Sequence, residues 1–168
     1  MACTCNDLLV SMKEKVYIET SVVSYVTARS SRDLIVAARQ EITRERWSRI
    51  LTDFDCFVSI LVVQEASGGD QEAAAARLSA IADIPVLQLD EKAEQLAKLL
   101  IVDGPIPENE PEDALHIALA ARDGVEYLLT WNFAHIHNAQ LELSIRRIIE
   151  QFGYQCPIFC SPDELIGD

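Results

Sequence analysis

Short apolar runs and amphipathic stretches alternate along this chain from end to end, and that alternation limits its fold more than any other feature. KVYI, CFVS, IPVLQL, EYLLT and CPIFC have the length and apolar content of strands, and stretches with helical spacing separate them. No Pro/Gly-rich linker, low-complexity tract or internal repeat interrupts the series. Strands joined through helices pair in parallel, so the sequence predicts one α/β domain with a five-stranded, doubly wound sheet in the order 3-2-1-4-5. The 168 residues suit a single domain, and the 49% that are apolar supply one core.

Capping residues sharpen this reading. TSVVSYVTA winds back from the first strand, with Thr20 or Ser21 as its cap, and Leu34, Ile35, Ala38, Ile42, Trp47, Ile50 and Leu51 mark a long amphipathic helix from Asp33 to about Asp53. Ser59 is a natural N-cap for ILVVQEAS, which stops at Gly68 and Gly69, and Asp90 caps DEKAEQLAKLLIVDG before Gly104. GPIPENEPED reads as a loop, after which Pro111 opens a helix that carries Asp113 in its first turn and ends at Gly124. AQLELSIRRIIEQFG is the last long helix. Residues 1–15 are set apart as an N-terminal tail open to disorder, with Met12 resembling an alternative start, and residues 16–168 as the domain.

Composition narrows the function. A net charge of −13 argues against a generic nucleic-acid coat, because affinity for phosphate comes from Lys and Arg. Arg29, Arg32, Arg39, Arg44, Arg46 and Arg49 nevertheless cluster in one early segment, either as a solvated helix face or as a phosphate-binding one. Cys3, Cys5, Cys56, Cys156 and Cys160 form no CxxC pair, so buried or idle thiols are expected rather than disulfides or a zinc site completed by His135 and His137. No apolar stretch approaches the roughly 20 residues that cross a bilayer, and a cytoplasmic protein is the expectation.

Polar residues interrupt the apolar runs at telling places: Glu19 after VYI, Glu65 inside SILVVQE, Asp113 opening DALHIALA, and Asn132 after YLLTW. The predicted topology carries strand ends and following helices to one sheet edge, with the first and fourth strands flanking the point where the winding reverses. Acids gathered there repel unless a cation neutralises them, and a hard ion such as Mg2+ takes oxygen ligands. Each residue alone has a plainer explanation. Glu19 can cap a helix, Glu65 can face solvent, Asp113 or its neighbour Glu112 can stabilise a helix N-terminus, and Asn132 can end a strand as a turn residue. His116, three positions after Asp113, reads first as a core histidine that hydrogen-bonds and second as a catalytic base. Trp131 and Phe133 either anchor the strand end or stack on a base.

The ordered set YIETSVVSY, S-x-L-V-x-x-E in SILVVQE, DALHIALA and LLTWNFAHI resembles the motifs of PIN-domain nucleases, especially the VapC-type toxins of toxin–antitoxin pairs, over roughly residues 16 to 165. The resemblance implies a PIN-like, flavodoxin-like fold. It implies a metal-dependent endoribonuclease that holds Mg2+ or Mn2+ at Glu19, Glu65 and Asp113, with Asn132 at the usual fourth acidic position. Thr20, Ser21 and Thr130 are then hydroxyls that orient the acids or touch a phosphate. Two departures stand out: Glu19 is one methylene longer than the usual Asp, and Asn132 is neutral. They favour a single-metal or weakly loaded site and keep a second reading open, a catalytically weak or inactive PIN-like module that binds RNA or protein. A receiver-type or phosphoryl-transfer domain is disfavoured, because the first strand lacks an acid pair and the last lacks a following Lys. An RNA substrate, a cognate antitoxin, a homodimer and no membrane are the partners expected from the resemblance.

Overall fold

The computed structural model describes residues 12–167. Most of the expected tail, with Cys3 and Cys5, lies outside the described residues, and the first strand begins at Lys15, one residue inside that tail. The strands are β1 (Lys15–Ile18), β2 (Asp55–Ser59), β3 (Val86–Leu87), β4 (Tyr127–Leu129) and β5 (Ile158–Cys160). They form one parallel sheet in the order β3-β2-β1-β4-β5, as the alternation requires. Tyr17 of β1 is in register with Phe57 of β2 and Leu128 of β4, which fixes the centre of the sheet.

The helices are α1 (Thr20–Thr27), α2 (Leu34–Asp53), α3 (Ile60–Ala66), α4 (Gln71–Ala80), α5 (Glu91–Val102), α6 (Pro111–Arg122), α7 (Ala139–Phe152) and the short α8 (Pro162–Leu165). α1 packs on α2, α3 and α4, whereas α5 packs on α6 and α7. Val16, Tyr17, Ile18, Leu128 and Leu129 are fully buried, because a central parallel strand is covered on both faces. Asp33, Ser59, Asp70 and Asp90 each accept a backbone N–H at the start of their helices, each contact stabilising by about 1 kcal/mol. Gly153 closes α7 at φ 100°, a left-handed conformation that only glycine adopts without strain. At Gly104 a Cβ would lie 2.4 Å from the carbonyl oxygen of Leu100, so the turn after α5 has room for no side chain.

Three details differ from the sequence reading. Neither Thr20 nor Ser21 caps α1; Glu19 does, its carboxylate accepting the Ser21 N–H at 3.0 Å. The third strand pairs over two residues only, not over IPVLQL, because its N-terminal part is a turn and its C-terminal part leads directly to the Asp90 cap. SPDEL, to which the sequence reading gave no element, folds as α8, where Ser161 and Glu164 form a capping box.

Candidate active site

The site lies beyond the carboxyl ends of β1 and β4, where the winding of the sheet reverses. Glu19 follows β1 directly and continues its ladder, donating its N–H to the Leu129 carbonyl at 3.0 Å. Its buried side chain accepts the Ser21 N–H, the Ser21 hydroxyl, and the Thr130 hydroxyl at 2.7 Å. Ser21 also accepts the Trp131 N–H at 2.8 Å, so one hydroxyl ties the ends of both strands to the acid.

Glu65 reaches the same place from α3. One of its oxygens, Oε2, accepts the Thr20 hydroxyl and the Nε2–H of His116 at 3.0 Å. The side chain is 31% exposed, which answers the question left by its apolar neighbours: it opens onto the cleft, not onto the core. His116 is 1% exposed, and its Nε2 also lies 4.0 Å from Oε1 of Glu19. Ligand atoms of Glu19, Glu65 and His116 all fall within 4.8 Å of one another.

Asp113, 13% exposed, sits in the first turn of α6, three residues before His116. It accepts the Asn132 amide N–H at 2.9 Å and lies 2.8 Å from Nδ1 of His135. The Asn132 side-chain oxygen accepts the His135 backbone N–H at 3.0 Å, and the Asn132 backbone N–H goes to the Thr130 hydroxyl at 2.9 Å. Asn132 therefore turns its nitrogen, not its oxygen, toward the acid and holds Asp113 in place. The Glu112 side chain is exposed and makes no hydrogen bond or ion pair with the described residues.

These contacts form two hydrogen-bonded chains, one joining Glu65 to His116 on α6 and one running from Glu19 through Thr130 and Asn132 to Asp113, which come together where His116 lies 4.0 Å from Glu19. Asp113 belongs to a second trio, with ligand atoms of Glu110, Asp113 and His135 within 4.8 Å of one another. Sequence reasoning missed Glu110 and His135. The signal for His135 was its place three residues after Asn132, where an Asn side chain in a turn accepts a following backbone N–H. His135 and His137 do not face each other, since His137 instead meets Glu164 at 2.8 Å.

Charge and burial oppose each other here. Burial alone raises the Glu65 carboxyl, but hydrogen bonds from His116 and Thr20 and the His116 charge outweigh it and hold it below the ordinary carboxylate value. Burial likewise lowers His116, while its bond to Glu65 and the charges of Glu19, Glu65 and Asp113 overcome that and raise it. Away from the site, burial pushes the free thiols of Cys56 and Cys160 up to about 12 and that of Cys156 to about 11, in keeping with inert packing residues.

The donor set suits a hard divalent ion. An ionised carboxylate has about four acceptor positions. Glu19 engages three and Asp113 two, and Oε1 of Glu65 has no hydrogen-bond partner among the described residues. Glu19, Glu65 and Asp113 thus all keep free oxygen lone pairs, Glu19 and Glu65 in one trio and Asp113 in the other.

No protein-family model matches the chain, and no curated protein matches it in sequence. Solved structures do. VapC20 of Mycobacterium tuberculosis, described as a sarcin-ricin loop cleaving toxin, is similar with a TM-score of 0.54 and 15% identity, over 83% of this chain and 95% of that one. VapBC2 of Rickettsia felis, solved bound to a DNA fragment from its promoter, is similar with a TM-score of 0.55 and 14% identity, over 88% of this chain and 98% of that one. The chain has the PIN-like fold of the VapC toxins. In this PIN-like fold the four sequence-picked positions meet at one sheet edge, with Thr20, Ser21, Thr130 and His116 between them. Beside them a groove of about 530 Å³ runs between α2 and the turn after β4. Arg39 stacks there on Phe133 at 4.8 Å and on Trp131 at 5.5 Å. The remaining arginines mostly form surface pairs, such as Arg44 with Glu41 at 3.2 Å, which favours the solvated-face reading of that segment. No described helix is long and apolar enough to cross a membrane.

Proposed function

We propose that this protein is a divalent-metal-dependent endoribonuclease, the toxin of a toxin–antitoxin pair. The observation that carries the reading is the gathering of Glu19, Glu65 and Asp113 at the switch point of a VapC-like sheet, in two hydrogen-bonded chains that approach each other where His116 lies 4.0 Å from Glu19. These three carboxylates would hold Mg2+ or Mn2+. A divalent ion so held supplies a bound water of lowered pKa and offsets charge developing on a phosphate.

The chain's own residues prepare that chemistry. Ser21 and Thr130 fix the rotamer of Glu19, which offsets the freedom of its extra methylene. Thr20 and His116 hold Glu65 ionised with one oxygen toward the cleft. Asn132 and His135 clamp Asp113 from the opposite side. The neutral Asn132 serves as a clamp and not as a fourth ligand, in line with a single-metal site. RNA is the proposed substrate, with an antitoxin and a second copy of the chain as partners in the cytoplasm. A basic antitoxin side chain suits the acidic cleft.

Purified protein should cleave RNA with added Mn2+ or Mg2+, and excess EDTA should stop it. Full cleavage in EDTA would overturn the reading. One observation favours an alternative, a PIN-like binding module without activity: three donors already occupy most of the acceptor positions of Glu19, and both ends of the Asn132 amide are engaged. Calorimetry showing no uptake of Mn2+ at millimolar concentration, with RNA left intact, would establish that alternative.

A further inference from the structure

We infer that Tyr17 and Ser59 are positioning residues for Glu65, acting through His116, a role that rests on the metal-binding reading of the site. Both come from strands at the centre of the sheet, both are fully buried, and neither touches the acidic cleft. The Tyr17 hydroxyl lies 2.7 Å from the Ser59 hydroxyl and 2.7 Å from Nδ1 of His116. The other ring nitrogen of His116 lies 3.0 Å from Glu65.

The direction of each bond follows from what each atom can donate. A carboxylate only accepts, so Nε2 of His116 carries the hydrogen that it shares with Glu65. The neutral imidazole then leaves Nδ1 as an acceptor, and the Tyr17 hydroxyl must donate to it. Having given its one hydrogen, the Tyr17 oxygen accepts from Ser59. Ser59 in turn accepts the Val62 N–H at 3.3 Å, the first-turn amide of the helix that bears Glu65. Every member of this buried chain donates once and accepts once, so no polar atom in it is left orphaned.

The chain begins at the cap of α3 and returns to the second turn of the same helix. Its effect is geometric. Ring rotation of His116 would break both of its bonds at once, so Tyr17 holds the imidazole with Nε2 toward Glu65, and Glu65 keeps its unpaired oxygen toward the cleft. Groups that hydrogen-bond the ligands of a metal site typically change affinity by about 10–100-fold when removed.

Two measurements on the full chain test the assignment. The first is NMR of nitrogen-labelled histidine, read at a pH where His116 carries a single ring hydrogen. Wild type should show His116 with its hydrogen on Nε2 and an accepted bond at Nδ1; a hydrogen on Nδ1 overturns the proposal. The second is calorimetric titration with Mn2+ alone. Tyr17→Phe, checked for folding by circular dichroism, should bind Mn2+ about 10-fold or more weakly. Ser59→Thr keeps both hydroxyl and cap and should bind as wild type does. Affinity of Tyr17→Phe within about twofold of wild type overturns the proposal while leaving the nuclease reading intact. Should Tyr17→Phe fail to fold, Ser59→Ala carries the same titration and the same criterion. A wild type that neither binds Mn2+ nor cleaves RNA sinks the nuclease reading and this role of Tyr17 and Ser59 together.

Discussion

Glu19 and Glu65 are held from inside the sheet by His116, Thr130 and the hydroxyls opening α1, whereas Asp113 is held from a surface turn by Asn132 and His135. The first pair shares a histidine that is 1% exposed; Asp113 shares one that is 27% exposed. Two carboxylates are thereby tied to the buried ends of the strands, and the third is tied to a turn whose histidine is half-buried. The supports of the acids, not the acids themselves, differ in burial between the strand side and the turn side of the cleft.

Removing charge from either side should have the largest effect. Asp113→Asn and Glu65→Gln are each expected to lower Mn2+-dependent RNA cleavage on the order of 10²–10³-fold, read as single-turnover rates. Comparable losses would show that both sides serve one centre; full activity in Asp113→Asn would confine the centre to the strand side. Stability should separate the two sides. His116→Ala leaves the buried Tyr17 hydroxyl without its acceptor and opens a void, and is expected to cost about 3 kcal/mol in urea unfolding of the metal-free protein. Asn132→Ala, in the half-exposed turn, is expected to cost about 1 kcal/mol. Equal costs would contradict the division.

The strand side also predicts a pH dependence. The His116 value in the folded protein lies above its ordinary 6.5, so its contribution is fully present below that pH and is lost as pH rises through the folded value. Glu65 lies below its ordinary 4.5, so its contribution is present above that pH and is lost as pH falls through the folded value. Thermal melts in EDTA should therefore place the greatest contribution of this pair between 4.5 and 6.5. His116→Gln should flatten the alkaline limb; an unchanged limb would remove His116 as its cause. The smallest effect is expected at Arg39, whose stacking on Phe133 has a value of about 0.5–1 kcal/mol. Arg39→Ala should raise the RNA KM a few-fold with kcat unchanged, and a loss in kcat would draw the groove into the chemistry.

Much of this arrangement was legible in the sequence because it depends on short-range rules. Strand order followed from alternation, and Ser59 and Asp90 declared their helices through capping chemistry. Glu65 stood out because an acid among Ile60, Leu61, Val62 and Val63 needs a reason. The roles within the site were harder to read, because they depend on which atom faces which. Asn132 looks like an oxygen donor in the sequence, yet the turn it opens rotates its nitrogen toward Asp113. Tyr17 reads as one more apolar strand residue until the sheet brings Ser59 of β2 and His116 of α6 against its hydroxyl across long separations in the chain. SPDEL carried the spacing of a capping box, and it was the lack of an apolar run behind it that hid α8.

The brevity of β3 has a consequence for association. An exposed sheet margin invites another polypeptide to anneal along its unpaired amides, and a margin of two residues is too short a template for that. With β5, the opposite margin, only three residues long, the proposed second copy would pair through side chains on the helices, where Leu34 is 85% and Ile35 is 65% exposed at the start of α2. A dimer built on that apolar shoulder would dissociate in mild detergent and not polymerise into fibres.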